Sequence, residues 1–155
     1  MEEQTETVGC SKAYSMYPGS LAKKYANRPA FIMAETGERV TYREFESRSN
    51  QLAHFFRAEG LKKGDHYSVF MENNNRYLES NSAGERAGLI YTCINSYLKE
   101  EELGYILVNS DAKILITSIS KLDIVKPAVK QCTICLLYTS PSPRDLSSSR
   151  MPSSA

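Results

Sequence analysis

From Tyr42 onward the apolar positions Phe45, Leu52, Phe55 and Phe56 recur at helical spacing, and Gly60 closes the run. This pattern predicts an amphipathic helix. Thr41 stands three residues before Glu44, the spacing at which a hydroxyl and a carboxylate each satisfy a free amide of the first turn. Upstream, SMYPGSLAKKYANR (residues 15–28) reads as a short helix begun at Ser15 or Ser20. Two extended segments, residues 30–34 and 39–42, flank Glu35-Thr36-Gly37-Glu38 and predict a hairpin.

Past Gly60 the pattern becomes an alternation. Residues 67–71 (YSVFM), 89–94 (LIYTCI) and 113–117 (KILIT) are strand candidates, each followed by a helical stretch: 75–88, 100–109, and 120–130 with Pro127 late in it. Strand–helix alternation at this interval predicts a parallel sheet covered by helices. The rhythm stops at Cys132. The last twenty residues hold seven serines and three prolines, too little apolar surface to offset the entropy of ordering them. The expected architecture is therefore α/β: an incomplete doubly wound parallel sheet with flanking helices, an N-terminal hairpin and a disordered C-terminal tail.

Charge adds an exclusion. A net charge of +1 gives no electrostatic case for nucleic acid. The longest aliphatic runs are far too short for a membrane span, which leaves only peripheral membrane contact open. The acidic MEEQTETVG start lacks the apolar stretch of a secretory signal, and four cysteines then read as reduced thiols, so a cytoplasmic protein is expected.

Few residues invite a chemical reading, and each has a plainer one. Cys132-Thr133-Ile134-Cys135 is a lone CxxC without a second pair or histidines, weak for zinc or redox work. Cys93 reads as a small buried apolar residue of a strand. His54 lies near the apolar side of its helix, His66 opens a strand, and neither has ligand-type neighbours at metal spacing. Glu100-Glu101-Glu102 suits the positive end of a helix dipole. Asn73-Asn74-Asn75 follows the C-terminal end of a strand, where open α/β sheets bind ligands, but a turn rich in local hydrogen bonds is the favoured reading.

The ordered string NRPAFIMAETGERVTYREFESRSNQLAHFFRAEGLKKGDHYSVFMENNNRYLE, continued by GLIYTCINSYLKEEELGYILVNSDAKILITS, resembles the opening of the AMP-forming acyl-CoA synthetases, of the long-chain fatty acid kind in particular. The resemblance covers about residues 17–120. It implies an acid–thiol ligase that joins a carboxylic acid to ATP as an acyl-adenylate and passes the acyl group to coenzyme A, with Mg²⁺ assisting. Asn81 and Ser82 depart from the family's apolar pattern, and Lys99 replaces a capping Thr. The family's phosphate loop, beginning YTSGTTG, is not here: no glycine follows Gly104, and Tyr138-Thr139-Ser140 runs into Pro141-Ser142-Pro143. No catalytic, cofactor-binding or metal-ligating residue is therefore assigned, and this fragment is expected to bind neither ATP, Mg²⁺ nor coenzyme A and to be inactive alone.

The tail carries a second resemblance. Cys135–Asp145 and Ser149–Ala155 resemble two blocks of a translated sequencing-library adapter, with Leu146-Ser147-Ser148 in the index position. That divides the chain into residues 1–134, the N-terminal part of a truncated synthetase/ligase domain, and 135–155, a non-native or disordered tail. Two other readings stay open. One is a small non-enzymatic α/β binding module with a Ser-Pro regulatory tail; the other is an adenylate-forming ligase for an aryl or amino acid.

Overall fold

The structure, a computed structural model, describes residues 18–130, 132 and 136–140. In chain order its elements are α1 (Pro18–Tyr25), β1 (Pro29–Ile32), β2 (Arg39–Thr41), α2 (Tyr42–Ala58), β3 (His66–Phe70), α3 (Asn75–Ala87), β4 (Ile90–Cys93), α4 (Glu100–Asn109), β5 (Ala112–Ser118), a 3-10 turn at Ile119–Lys121, α5 (Leu122–Val129) and β6 (Leu136–Ser140). Strands β1 and β2 form the expected antiparallel hairpin, and β4-β3-β5-β6 form a four-stranded parallel sheet.

The start of α2 follows from two side chains. The Glu44 amide donates to Thr41 Oγ1 at 3.3 Å, while the Thr41 amide donates to Glu44 Oε2 at 2.9 Å. Its end is equally local. Gly60 takes φ +84°, and the amides of Gly60 and Leu61 donate back to the carbonyls of Arg57 and Phe56, the glycine-dependent stop that satisfies otherwise free carbonyls. Helix α3 stops in the same way at Gly88. Helix α4 lacks a capping side chain, as Lys99 foretells, but the Lys99 amide still donates to Glu102 Oε2 at 3.0 Å.

The two sheet faces carry separate cores. Leu52, Ala53 and Phe56 of α2 and Ala83 of α3 pack on Tyr67, Val69, Ile114 and Ile116. On the opposite face, Leu103 and Leu107 of α4 and Val125, Ala128 and Val129 of α5 pack on Phe70 and Leu115. This is the layering that right-handed crossovers impose. The step from β3 to β4 runs one way along the sheet and the next two run the other way, so their helices fall on opposite faces. The direction of winding reverses between β3 and β5.

The α2–α3 contact is unusually polar. Glu79 is buried between Arg48 (3.1 Å) and Arg76 (2.8 Å), and Arg86 meets Glu46 at 2.6 Å and also Asn50. Ser49 Oγ on α2 and Asn81 Oδ1 and Ser82 Oγ on α3 are buried without a hydrogen-bond partner, so the two departures at 81 and 82 leave polar atoms unsatisfied.

The tail expectation needs a correction. Residues 136–140 are not unstructured: they add a fourth parallel strand, with Ile114 opposite Leu136 and Ser118 opposite Ser140. Leu136, Leu137 and Tyr138 supply a short apolar run separated from the end of α5 by residues 130–135, and β5 offers a free edge one right-handed crossover away. Residues 141–155 lie outside the described residues.

Candidate functional site

An open cleft of about 550 Å³ lies at the C-terminal ends of β3 and β4. Met71, Glu72 and Asn73 leave β3 along one side, and Cys93, Ile94, Asn95, Ser96 and Tyr97 leave β4 along the other; Tyr77 and Glu35 complete the lining. Each part is held by bonds from elsewhere in the fold. The Ile94 amide donates to the Val69 carbonyl at 2.9 Å, fixing the β4 exit against β3. Asn95 Oδ1 accepts from the Tyr97 amide at 3.0 Å, and Lys121 Nζ donates to the Ser96 carbonyl at 2.9 Å. The hairpin turn carrying Glu35 is tied in through Asn75 Nδ2, which donates to Glu38 Oε1 at 2.7 Å.

Glu72 links this cleft to the point where the winding reverses. Its Oε2 accepts at 2.5 Å from Oγ of Ser118, the last residue of β5, and at 2.8 Å from Ser120 Oγ in the turn that follows, and Asn74 Nδ2 donates to Oε1 at 3.4 Å. Burial alone would raise this carboxyl, but the hydrogen bonds from Ser118, its own amide, Ser120 and Asn74 together hold it below the ordinary value. Glu72 is an anion at neutral pH. The Tyr77 phenol is pushed up to about 12 by burial and by its contact with the Cys93 thiol, so it stays a neutral donor.

The asparagine run divides its work. Asn73 faces the cleft. Asn74 caps α3 by accepting from the amides of Arg76 (2.9 Å) and Tyr77 (3.2 Å), and Asn75 braces the hairpin. Cys93 is exposed rather than buried, because β4 is an outer strand whose last residue opens into the cleft. His54 is exposed on α2, and His66 Nδ1 lies 2.8 Å from the Ser110 carbonyl as a structural contact. Cys132 packs near the Ala128 and Gly104 carbonyls, where burial pushes its thiol up and makes it a poor nucleophile; Cys135 lies outside the described residues. Glu35, Glu72, Tyr77 and Tyr97 were not singled out by sequence reasoning. The rule placing ligands at the carboxyl ends of strands was the signal that pointed towards them.

This lining does not fit a nucleoside triphosphate. Two carboxylates and no lysine or arginine line the cleft, and a polyphosphate held there would meet only like charge. Among the described residues no group of three His, Cys, Asp or Glu side chains is placed to hold a metal ion. No described helix is long and apolar enough to cross a membrane.

The sequence pattern of the family described as AMP-binding enzyme matches residues 20–153. The chain belongs to the AMP-binding enzyme family. Among curated relatives, it is 36% identical over 84 residues to a 3-oxocholest-4-en-26-oate–CoA ligase of Rhodococcus rhodochrous, covering 54% of this chain and 15% of that protein. It is 32% identical over 102 residues to a crotonobetaine/carnitine–CoA ligase of Citrobacter koseri, covering 63% and 20%. A benzoate–CoA ligase of Burkholderia xenovorans LB400 superposes with a TM-score of 0.73 over 81% of this chain and 25% of that one, at 24% identity. That likeness establishes a shared α/β fold. The chain spans about a fifth or less of these curated relatives, and the family match passes through the strand at Leu136–Ser140.

Proposed function

We propose that this chain is the N-terminal part of an AMP-forming acid–CoA ligase. The whole protein would use ATP and Mg²⁺ to convert a carboxylic acid, a fatty acid in our reading, into its acyl-adenylate, and would then form the coenzyme A thioester. The observation that carries this reading is the family match over residues 20–153. The ligase relatives act on chemically diverse acids by their names, so chain length and head group are for experiment to assign. Residues 1–155 by themselves are proposed to be inactive, because the glycine loop that converges amides on a triphosphate has no counterpart here.

The test is to recover the full coding sequence that continues residues 1–134 and assay the purified protein against a panel of fatty, aryl and amino acids. Acid-dependent pyrophosphate release and thioester formation, with long-chain acids preferred, are the expected results. A full-length protein that forms no adenylate with any acid would end the reading. Residues 135–155 are proposed to be foreign to the gene, on the strength of the two adapter-like blocks. An independently cloned genomic copy carrying the same codons would refute that.

A further inference from the structure

We propose that the face formed by α1, the turn after it and the β1–β2 hairpin docks on an anionic lipid surface, with Lys23, Lys24, Arg28, Arg39 and Arg43 against the headgroups and Leu21 and Ile32 seated between them. This goes beyond the ligase reading and does not rest on it.

The first observation is a segregation of charge that the chain's total of +1 conceals. All five cations are exposed, and none forms an ion pair among the described residues. The backbone draws them together. The Tyr42 amide donates to the Arg28 carbonyl at 3.0 Å and the Arg43 amide to the Ala26 carbonyl at 3.1 Å, so the turn after α1 lies against the start of α2. Two of the cations share one ring: Lys24 Nζ is 5.1 Å and Arg28 Cζ 4.9 Å from the Tyr25 centroid. Like charges on one ring repel each other, and an anionic surface over them removes that cost. The acidic side chains of the same stretch are placed elsewhere. Glu35 and Glu38 belong to the hairpin turn, at the end away from α1, where Glu38 accepts from Asn75 Nδ2 and Glu35 lines the cleft. Glu44 closes the α2 cap on Thr41.

The second observation is that each element sets an exposed aliphatic side chain beside a cation. Ile32 stands opposite Arg39 in the hairpin register, and cross-strand partners share a face. The neighbouring pair, Phe31 and Val40, faces inward: Val40 is buried, and the Phe31 ring meets Phe45 edge-on at 5.6 Å. Alternation along a strand then turns Ile32 and Arg39 outward, and Ile32 is 52% exposed. On α1, Leu21 and Lys24 are three residues apart on one side of the helix, and Leu21 is exposed as well. Cations with aliphatic side chains between them are the composition that lies in a lipid headgroup layer. Charges spread over a helix, a turn and a hairpin converge on no single point, which suits a mobile sheet of headgroups rather than one bound phosphate.

The test is flotation of the full 155-residue chain with vesicles of phosphatidylcholine containing about 30% phosphatidylserine, against vesicles of phosphatidylcholine alone. Flotation separates bound protein from aggregate, which sinks. Binding is expected only to the phosphatidylserine vesicles at about 0.1 M salt, with its loss at about 1 M, where the screening length falls to roughly 3 Å. Lys24→Ala combined with Arg28→Ala should lower the partition coefficient about twentyfold or more, at about fivefold for each charge near the surface. Ile32→Ser should lower it about two- to fivefold and leave the salt dependence unchanged. Lys126→Ala removes an exposed cation of α5, across the sheet, and should change nothing. All the replaced side chains are exposed, so none of these changes threatens the fold. Four results would each overturn the proposal. They are equal flotation with both kinds of vesicle; binding that persists at high salt; release by about 10 mM inorganic phosphate, too little to screen the surface and so the mark of a discrete anion site; or a double variant that binds no more weakly than Lys126→Ala.

Discussion

Gly84 lies directly beneath the Tyr67 ring, where a Cβ would collide with the phenol carbons and hydroxyl. Tyr67 cannot retreat, because it is fully buried and its hydroxyl donates to the Ser80 carbonyl at 2.9 Å. Gly84→Ala is therefore expected to destabilise the fold by about 1–3 kcal/mol through overpacking, measured by pulse proteolysis at low protein concentration. The neighbouring polar contacts should split in sign. Arg86→Ala leaves the Glu46 carboxylate without its 2.6 Å partner and should cost about 2–3 kcal/mol, somewhat less than a fully buried pair. Ser82→Ala removes a buried hydroxyl that has no partner and should be neutral or stabilising by roughly 1 kcal/mol. A large loss on Ser82→Ala would mean that the hydroxyl has a partner after all, such as a bound water. At this scale sequence reading was weakest. Cys93 looks like a buried strand residue until β4 is known to be an outer strand, and nothing in the periodicity says that Glu79 faces inward between two arginines.

Helices and strands were far more legible, because their signals are local. The Thr41–Glu44 box, the glycine stop at Gly60 and the 100–109 helix stand where the pattern puts them. Strand β6 was not legible, since its reason lies outside its own residues, in the open edge of β5. The α2 cap also makes a prediction about pH. Hydrogen bonds from the Thr41 amide, then its hydroxyl, hold the Glu44 carboxyl below its ordinary value. A depressed carboxyl stabilises the folded state fully above its unfolded pKa, about 4.3, and that contribution is lost as pH falls through the lower folded value. Thr41→Ala should thus cost about 1 kcal/mol at pH 7 and progressively less below about pH 4. Thermal midpoints of parent and variant compared across pH 3–7 check this; a gap that widens in acid would contradict it.

For the whole molecule, the order β4-β3-β5-β6 leaves β4 unpaired on its outer side among the described residues, and its sequence, IYTC, carries no charge to blunt that edge. Ile90 on β4 and Tyr105 and Val108 on α4 are exposed as well. Residues 1–155 alone should associate as concentration rises, seen as growing weight-average mass in light scattering. A monomer with one cooperative unfolding transition at every concentration would show a self-sufficient domain.

The family to which the chain belongs is described as AMP-binding, yet this chain's glycines stop at Gly104 and the cleft at the ends of β3 and β4 is acidic. The phosphate-binding loop is therefore proposed to lie outside residues 1–155. The most direct measurement is isothermal titration of the purified 155-residue chain with ATP·Mg²⁺. The account predicts no saturable heat at millimolar nucleotide. Stoichiometric, saturable binding that survives repurification would contradict it, and would place a triphosphate site within these residues.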